Sequence, residues 1–296
     1  MSIATILFPD FVLILLGFLI KRFGRLGDDF WTGLEKLVYY VFFPTLLFYA
    51  TSRTPFDFVA TAKLLQLAAI AIGSGIALGW LAKPLFKAGP MIFESGVQTA
   101  FRFNSYIALA AASRLGGDEG TSLMALIIGF CVPFCNAAAV HALVHKSGGL
   151  LREMARNPLI IATAAGMLFN VFGLSYPEMV SATLSRLGNA SIALGLIAVG
   201  AGLHWSGLHE SKGIAAYFLA VKLLALPAIG LGAGLWLGLP LLQLQIGVVF
   251  CALPTASSAY VLAARLGGNG PFVAFLISAG TVLSVLTLPF WVILAS

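Results

Sequence analysis

One phrase occurs twice in this chain: Ala112-Ser113-Arg114-Leu115-Gly116-Gly117-Asp118 returns as Ala263-Ala264-Arg265-Leu266-Gly267-Gly268-Asn269. Each copy follows a polar interruption in an otherwise apolar stretch, Arg102-Phe103-Asn104-Ser105 before the first and Pro254-Thr255-Ala256-Ser257-Ser258 before the second. The copies lie about half a chain apart, as an internally duplicated membrane carrier requires. Composition agrees, because 60% of the 296 residues are hydrophobic and 9% are charged, against roughly 25% charged in an average soluble domain. That much apolar surface has to face lipid.

A spanning helix takes about 20 apolar residues, which leaves room for ten spans: 4–21, 33–51, 61–82, 94–114, 120–143, 157–174, 186–204, 213–237, 242–265 and 271–294. The expected fold is an all-α membrane domain of two five-helix repeats, 1–150 and 151–296. An odd number of crossings per repeat sets the second repeat inverted to the first. Lysine and arginine mark the sides, since cytoplasmic loops hold an excess of both. Eleven (Lys21, Arg22, Arg25, Lys36, Lys83, Lys87, Lys146, Arg152, Arg156, Lys212 and Arg265) fall on one side, and four (Arg53, Lys63, Arg114 and Arg186) on the other. Both termini are therefore expected outside, with the loop 145–156 in the cytoplasm. The net charge of +6 is scattered over short loops without a stripe, so nucleic acid is not an expected partner. The first apolar run lacks a preceding basic segment and a small-residue cleavage site, and reads as a retained span.

Backbone that is not helical at membrane depth survives only when buried in protein or lining a wet cavity. Pro254 has no amide hydrogen and opens the ninth span locally, while the fourth span is interrupted by Arg102 and Asn104. Superposing the repeated phrase sets Asn104 opposite Thr255 and Phe103 opposite Pro254. Inverted repeats would bring the two breaks together, with half-helix amino ends turned toward an anion. The candidate binding residues are Arg102, Asn104, Ser105, Pro254, Thr255, Ser257 and Ser258. Asn136, Phe43 and Thr45 join them from the fifth and second spans. Asn189 and Ser191, the inverted counterpart of the latter, are weaker candidates. An arginine at mid-span faces a cavity or a partner. No acidic residue is expected in the central turns, so Arg102 either contacts an anionic substrate or supports the crossing through backbone carbonyls. Asn136 is either a ligand contact or helix-to-helix glue.

Tyr39-Tyr40-Val41-Phe42-Phe43-Pro44-Thr45-Leu46-Leu47-Phe48, Arg102-Phe103-Asn104 and Leu253-Pro254-Thr255-Ala256-Ser257-Ser258 together resemble the auxin efflux carrier family, and more distantly the sodium and bile-acid symporters. The resemblance implies crossed, discontinuous helices 4 and 9 in a bacterial inner membrane. It also implies a mobile unit of spans 3, 4, 5, 8, 9 and 10, and a scaffold of spans 1, 2, 6 and 7 that forms a homodimer. The activity implied is export or exchange of a small carboxylate, auxin-like or malate-like, with Phe103 standing where plant members carry a second proline. Sodium, held by Thr255, Ser257 and unwound carbonyls, is the alternative coupling ion, and a passive anion channel is the other alternative. No other cofactor is expected. An intramembrane serine protease is disfavoured, because the histidines lie at span ends, away from Ser105 and Ser257.

Other positions have structural readings. Cys131, Cys135 and Cys251 are packing residues, and His141 and His145 are a solvated pair rather than a zinc site. Gly195, Gly200, Gly202, Gly230, Gly232 and Gly234 allow close helix approach. Lys222 is expected to snorkel, and Trp31, Trp205, Trp236 and Trp291 to anchor at the interface.

Overall fold

A computed structural model describes residues 3–53, 58–86, 89–144, 158–203, 211–256, 258–265 and 267–296. The described elements are helical, and five helices among them are long and apolar enough to cross a membrane. In chain order they are α1 (Ile3–Phe23), α2 (Asp28–Leu37), α3 (Phe43–Arg53), α4 (Phe58–Phe86), α5 (Pro90–Gly96), α6 (Ser105–Val144) and α7 (Pro158–Val171), followed by α8 (Glu178–Ala201), α9 (Lys212–Ala220), α10 (Leu226–Trp236), α11 (Leu241–Ala252), α12 (Ser258–Arg265) and α13 (Gly270–Leu294). Each of the ten apolar stretches read from the sequence contains helix. Two begin well before their apolar stretch. Asp28 and Asp29 start α2, and Glu178 starts α8, because a carboxylate in the first turn complements the helix dipole whether or not the turn is apolar.

Two rods contain a widened turn that hydropathy does not show. Val38–Phe42 and Val221–Ala225 are π-helical, and each lies immediately before a helix whose second residue is proline, Pro44 or Pro227. The missing proline amide deprives the carbonyl four residues earlier of its donor. In the second rod that carbonyl belongs to Leu223, and the Trp291 indole nitrogen donates to it at 2.9 Å. Trp291 is consequently buried rather than interfacial. Lys222, in the same π turn, is also buried at 3% exposure and does not snorkel. It sits among the buried thiols of Cys131, Cys135 and Cys251.

Helix packing forms two groups. In one, α1 lies on α8 and α3 lies on α7 and α8. In the other, α4, α6, α10 and α13 surround α11. Backbones meet in the first group: a Cβ on Gly17 would stand 2.0 Å from the Ile197 carbonyl, and one on Gly200 1.8 Å from that of Ile14. Close approach also explains Gly195 against Phe43, Gly230 against Cys251 and Gly234 against Leu244, whereas Gly232 faces open space. Within α6 the chain breaks at Gly116 and Gly117, where Gly117 has φ +56°. A left-handed residue there separates the fourth and fifth apolar segments.

Candidate functional site at the paired helix breaks

The polar interruptions are breaks in the helices. After α5 a short 3₁₀ turn, Val97–Ala100, carries the chain to non-helical residues 101–104. After α11 the chain is non-helical through residues 253–256. The Asn104 amide is turned away from its own helix and donates to the Pro254 carbonyl at 2.9 Å. Its side-chain oxygen accepts from the Tyr106 and Ile107 amides at 3.0 and 3.2 Å. Asn104 is therefore the cap of α6, filling by side chain the acceptor role that a helix start otherwise leaves open.

More contacts cross between the breaks. The Thr255 hydroxyl donates to the Thr99 carbonyl at 2.8 Å, and the Gln98 amide nitrogen to the Ala259 carbonyl at 3.3 Å. Phe103 packs edge-on against Phe250, with centroids 4.8 Å apart, an arrangement worth about 1 kcal/mol beyond the area it buries. Arg102, 8% exposed, donates from Nη2 to the Ser258 hydroxyl at 2.9 Å.

A cavity of about 610 Å³ reaches this place from one end of the molecule. Lys21, Asp28 and Thr32 line its outer part, and Lys21 is ion-paired to Asp28. Its deeper wall holds Asn104, Ser105 and Tyr106 at the start of α6, and Ala256 and Ser258 at the start of α12. Two helix amino ends thus face one cavity, an arrangement that favours a negative charge. Arg102 adds a full positive charge through Ser258.

Of the residues singled out in the sequence, Asn104, Ser105 and Ser258 line the cavity, and Arg102 stands behind Ser258. Pro254 and Thr255 are buried in the crossing itself. Phe43 is fully buried, its ring 4.7 Å from that of Tyr106, so it backs the wall rather than forming it. The Thr45 hydroxyl donates to the Val41 carbonyl in the π turn. Asn136 is half-buried and outside the cavity lining, beside Cys135, whose thiol donates to the Phe101 carbonyl at 3.6 Å. Asn189 is exposed, and the Ser191 hydroxyl donates to the Gly188 carbonyl. Ser257, His145, Trp205 and the loop 145–156 lie outside the described residues.

Two expectations need correction. Trp31 is 6% exposed and forms part of the cavity wall, so it is not an interfacial anchor. Nor are acids confined to span ends. Asp10, eight residues into α1, is 6% exposed and accepts from Arg114 at 3.3 Å, and Glu35 lines the cavity with Tyr39. Hydropathy averaged over a window conceals single carboxylates, and Thr32 and Glu35 carry no sequence signal because they precede the apolar core of their span.

The sequence profile of a family described as membrane transport protein matches residues 136–292. A Methanothermobacter thermautotrophicus protein named "Uncharacterized transporter" is 27% identical over 291 residues, covering 95% of this chain and 94% of its own length. A Rhizobium meliloti protein named "Putative malonate transporter" is 25% identical over 312 residues, covering 97% of this chain and 93% of its own.

Proposed function

The chain belongs to the membrane transport protein family, and from that premise we propose that it carries a small organic dianion of the malonate class across the bilayer, by alternating access at the paired breaks. In this reading the chain crosses a bacterial inner membrane ten times as two inverted repeats, 1–150 and 151–296, with both termini outside. The cavity then opens to the cytoplasm, on the side where most lysines and arginines collect. The α4–α6 and α9–α13 group is the moving unit, and α1–α3, α7 and α8 are the scaffold, available for a homodimer. The observation that carries the reading is the Asn104-to-Pro254 hydrogen bond. It joins two breaks 150 positions apart in the chain and leaves both helix amino ends facing a cavity large enough for a short carboxylate.

The chemistry follows from that geometry. A carboxylate against the α6 and α12 amino ends would accept from the Ser105 and Ser258 hydroxyls in the field of both helix dipoles, the Tyr106 and Ile107 amides being capped already by Asn104. Arg102 would fix it through a charge-assisted bond, worth about 1.5–3 kcal/mol. Binding energy at the breaks would be retained while the scaffold's face of the cavity is exchanged for the opposite one, so the anion changes sides without entering lipid. Sodium symport is the alternative: the Thr255 hydroxyl gives its hydrogen to the Thr99 carbonyl, and its oxygen lone pairs could still meet a cation.

Counterflow tests this reading. Proteoliposomes loaded with unlabelled malonate are expected to accumulate labelled malonate transiently and saturably, and Arg102→Ala to abolish the signal while the protein still elutes as a single folded species. Linear, non-saturating flux would instead indicate a channel, and undiminished flux in Arg102→Ala would remove that residue from the site. Acceleration by an imposed sodium gradient would establish the symport alternative.

A further inference from the structure

Two ion pairs join the Gly116-Gly117 break to α1 and α3, and none of their four residues lines the cavity. Arg114 reaches Asp10 of α1 at 3.3 Å, and Arg53 at the end of α3 reaches Asp118 at 3.5 Å. Arg114 and Asp118 bracket the Gly116-Gly117 break, so both pairs tie that break to the helix group containing α1 and α3. Asp28, at the cavity mouth, begins the rod that ends at Arg53, 25 residues and about 37 Å away.

The pairs differ in consequence. Arg53 and Asp118 are each about half exposed, and surface pairs of that kind contribute little. Asp10 is 6% exposed; one carboxylate oxygen faces Arg114, and the other, Oδ2, has no hydrogen-bond partner. The elements packed on α1 are α6, α8 and α13. Helix α13 contains no charged residue, and α8 contains Glu178 and Arg186, both in its first half. Helix α6 contributes Arg114, Asp118 and Glu119, with His141 toward its far end. Among the described residues Arg114 is the charged group in contact with Asp10. Removing that one cation leaves a buried carboxylate with nothing to balance it, and such a group neutralises by taking a proton.

We propose that Asp10 is a proton-binding site set by Arg114: ionised and paired while this contact is closed, and protonated from the adjoining water when Arg114 withdraws. The proton returns to that water when the pair reforms. Opening of this contact is thereby linked to pH, and acidification draws the molecule away from the state whose cavity opens beside Lys21. The inference rests on the alternating-access reading for the motion that separates the two helix groups.

Thr32→Cys in the cavity wall reports that state, as the rate of labelling by a membrane-impermeant maleimide in proteoliposomes, corrected for the native cysteines in the parent protein. The rate is divided at each pH by that of Thr32→Cys/Asp10→Asn, which cancels the thiol's own pH dependence. The ratio is expected to be about fivefold or more at about pH 8 and to approach one by about pH 5. A ratio that does not change with pH overturns the proposal. If Asp10→Asn fails to fold, Arg114→Met takes its place as the divisor, with the same expectation and the same overturning result. Malonate counterflow in the same vesicles separates the two readings. A pH-dependent ratio without counterflow sinks the anion assignment alone, and counterflow with an unchanging ratio sinks the Asp10 assignment alone.

Discussion

The two breaks reach matching geometry by different chemistry. At 253–256 the chain opens because Pro254 lacks an amide hydrogen, a property of one residue that any solvent would preserve. At 101–104 there is no proline. The opening depends on Asn104 capping α6 with its side chain while its amide donates across to Pro254. The first break is thus partly made by the second, and the second is locally sufficient. A helix can therefore break at such a crossing without a proline, provided a capping residue and a carbonyl across the gap take over what a proline does.

Predictions follow from that asymmetry. The largest effect is expected from Arg102→Ala, which removes the site's own cation. Malonate exchange should fall by about 100-fold or more, a loss larger than one neutral hydrogen bond explains, whereas Arg102→Lys should retain part of the rate. Next is Asn104→Ala. It should destabilise the protein by about 1–2 kcal/mol through loss of the cap, read by thermal unfolding in detergent, and Asn104→Asp should recover most of the loss. Pro254→Ala restores the amide hydrogen whose absence holds the second break open, and because the Asn104 amide donates across to that break, its stability should fall by about as much as that of Asn104→Ala. A clearly smaller loss would contradict the proposed dependence of one break on the other. Thr255→Val removes a donor and leaves the Thr99 carbonyl buried without it, at about 1–3 kcal/mol, with little change in malonate affinity because the hydroxyl faces the crossing and not the cavity. The smallest effect is expected for Phe250→Leu, which loses the edge-on contact with Phe103 and about 0.5–1.5 kcal/mol.

Much of this architecture was readable before any coordinates. Apolar runs and their punctuation locate the helices, because hydrocarbon tolerates little else. The repeated phrase points to both breaks, because polar residues in a span require a reason. What escaped were features set by single atoms. The π turns at Val38–Phe42 and Val221–Ala225 depend on the registers of Pro44 and Pro227, and Trp291 was misassigned because its indole finds the Leu223 carbonyl that Pro227 leaves without a donor. Lys222, about two turns into its span, is expected to snorkel, whereas tertiary packing buries it among thiols. Asp10 was hidden in a hydropathy average. Phe43 and Thr45 sit where a site residue would be sought, yet their side chains face Tyr106 and the Val41 carbonyl. Spacing along a span does not determine which way a side chain points.

The claim on which the account depends is that an anion binds against the α6 and α12 amino ends. A crystal structure of the protein grown with malonate tests it most directly. The account predicts density for a carboxylate within hydrogen-bond distance of Ser105 and Ser258, with Arg102 turned to it. Malonate held elsewhere in the cavity, with the two breaks unoccupied, would contradict it.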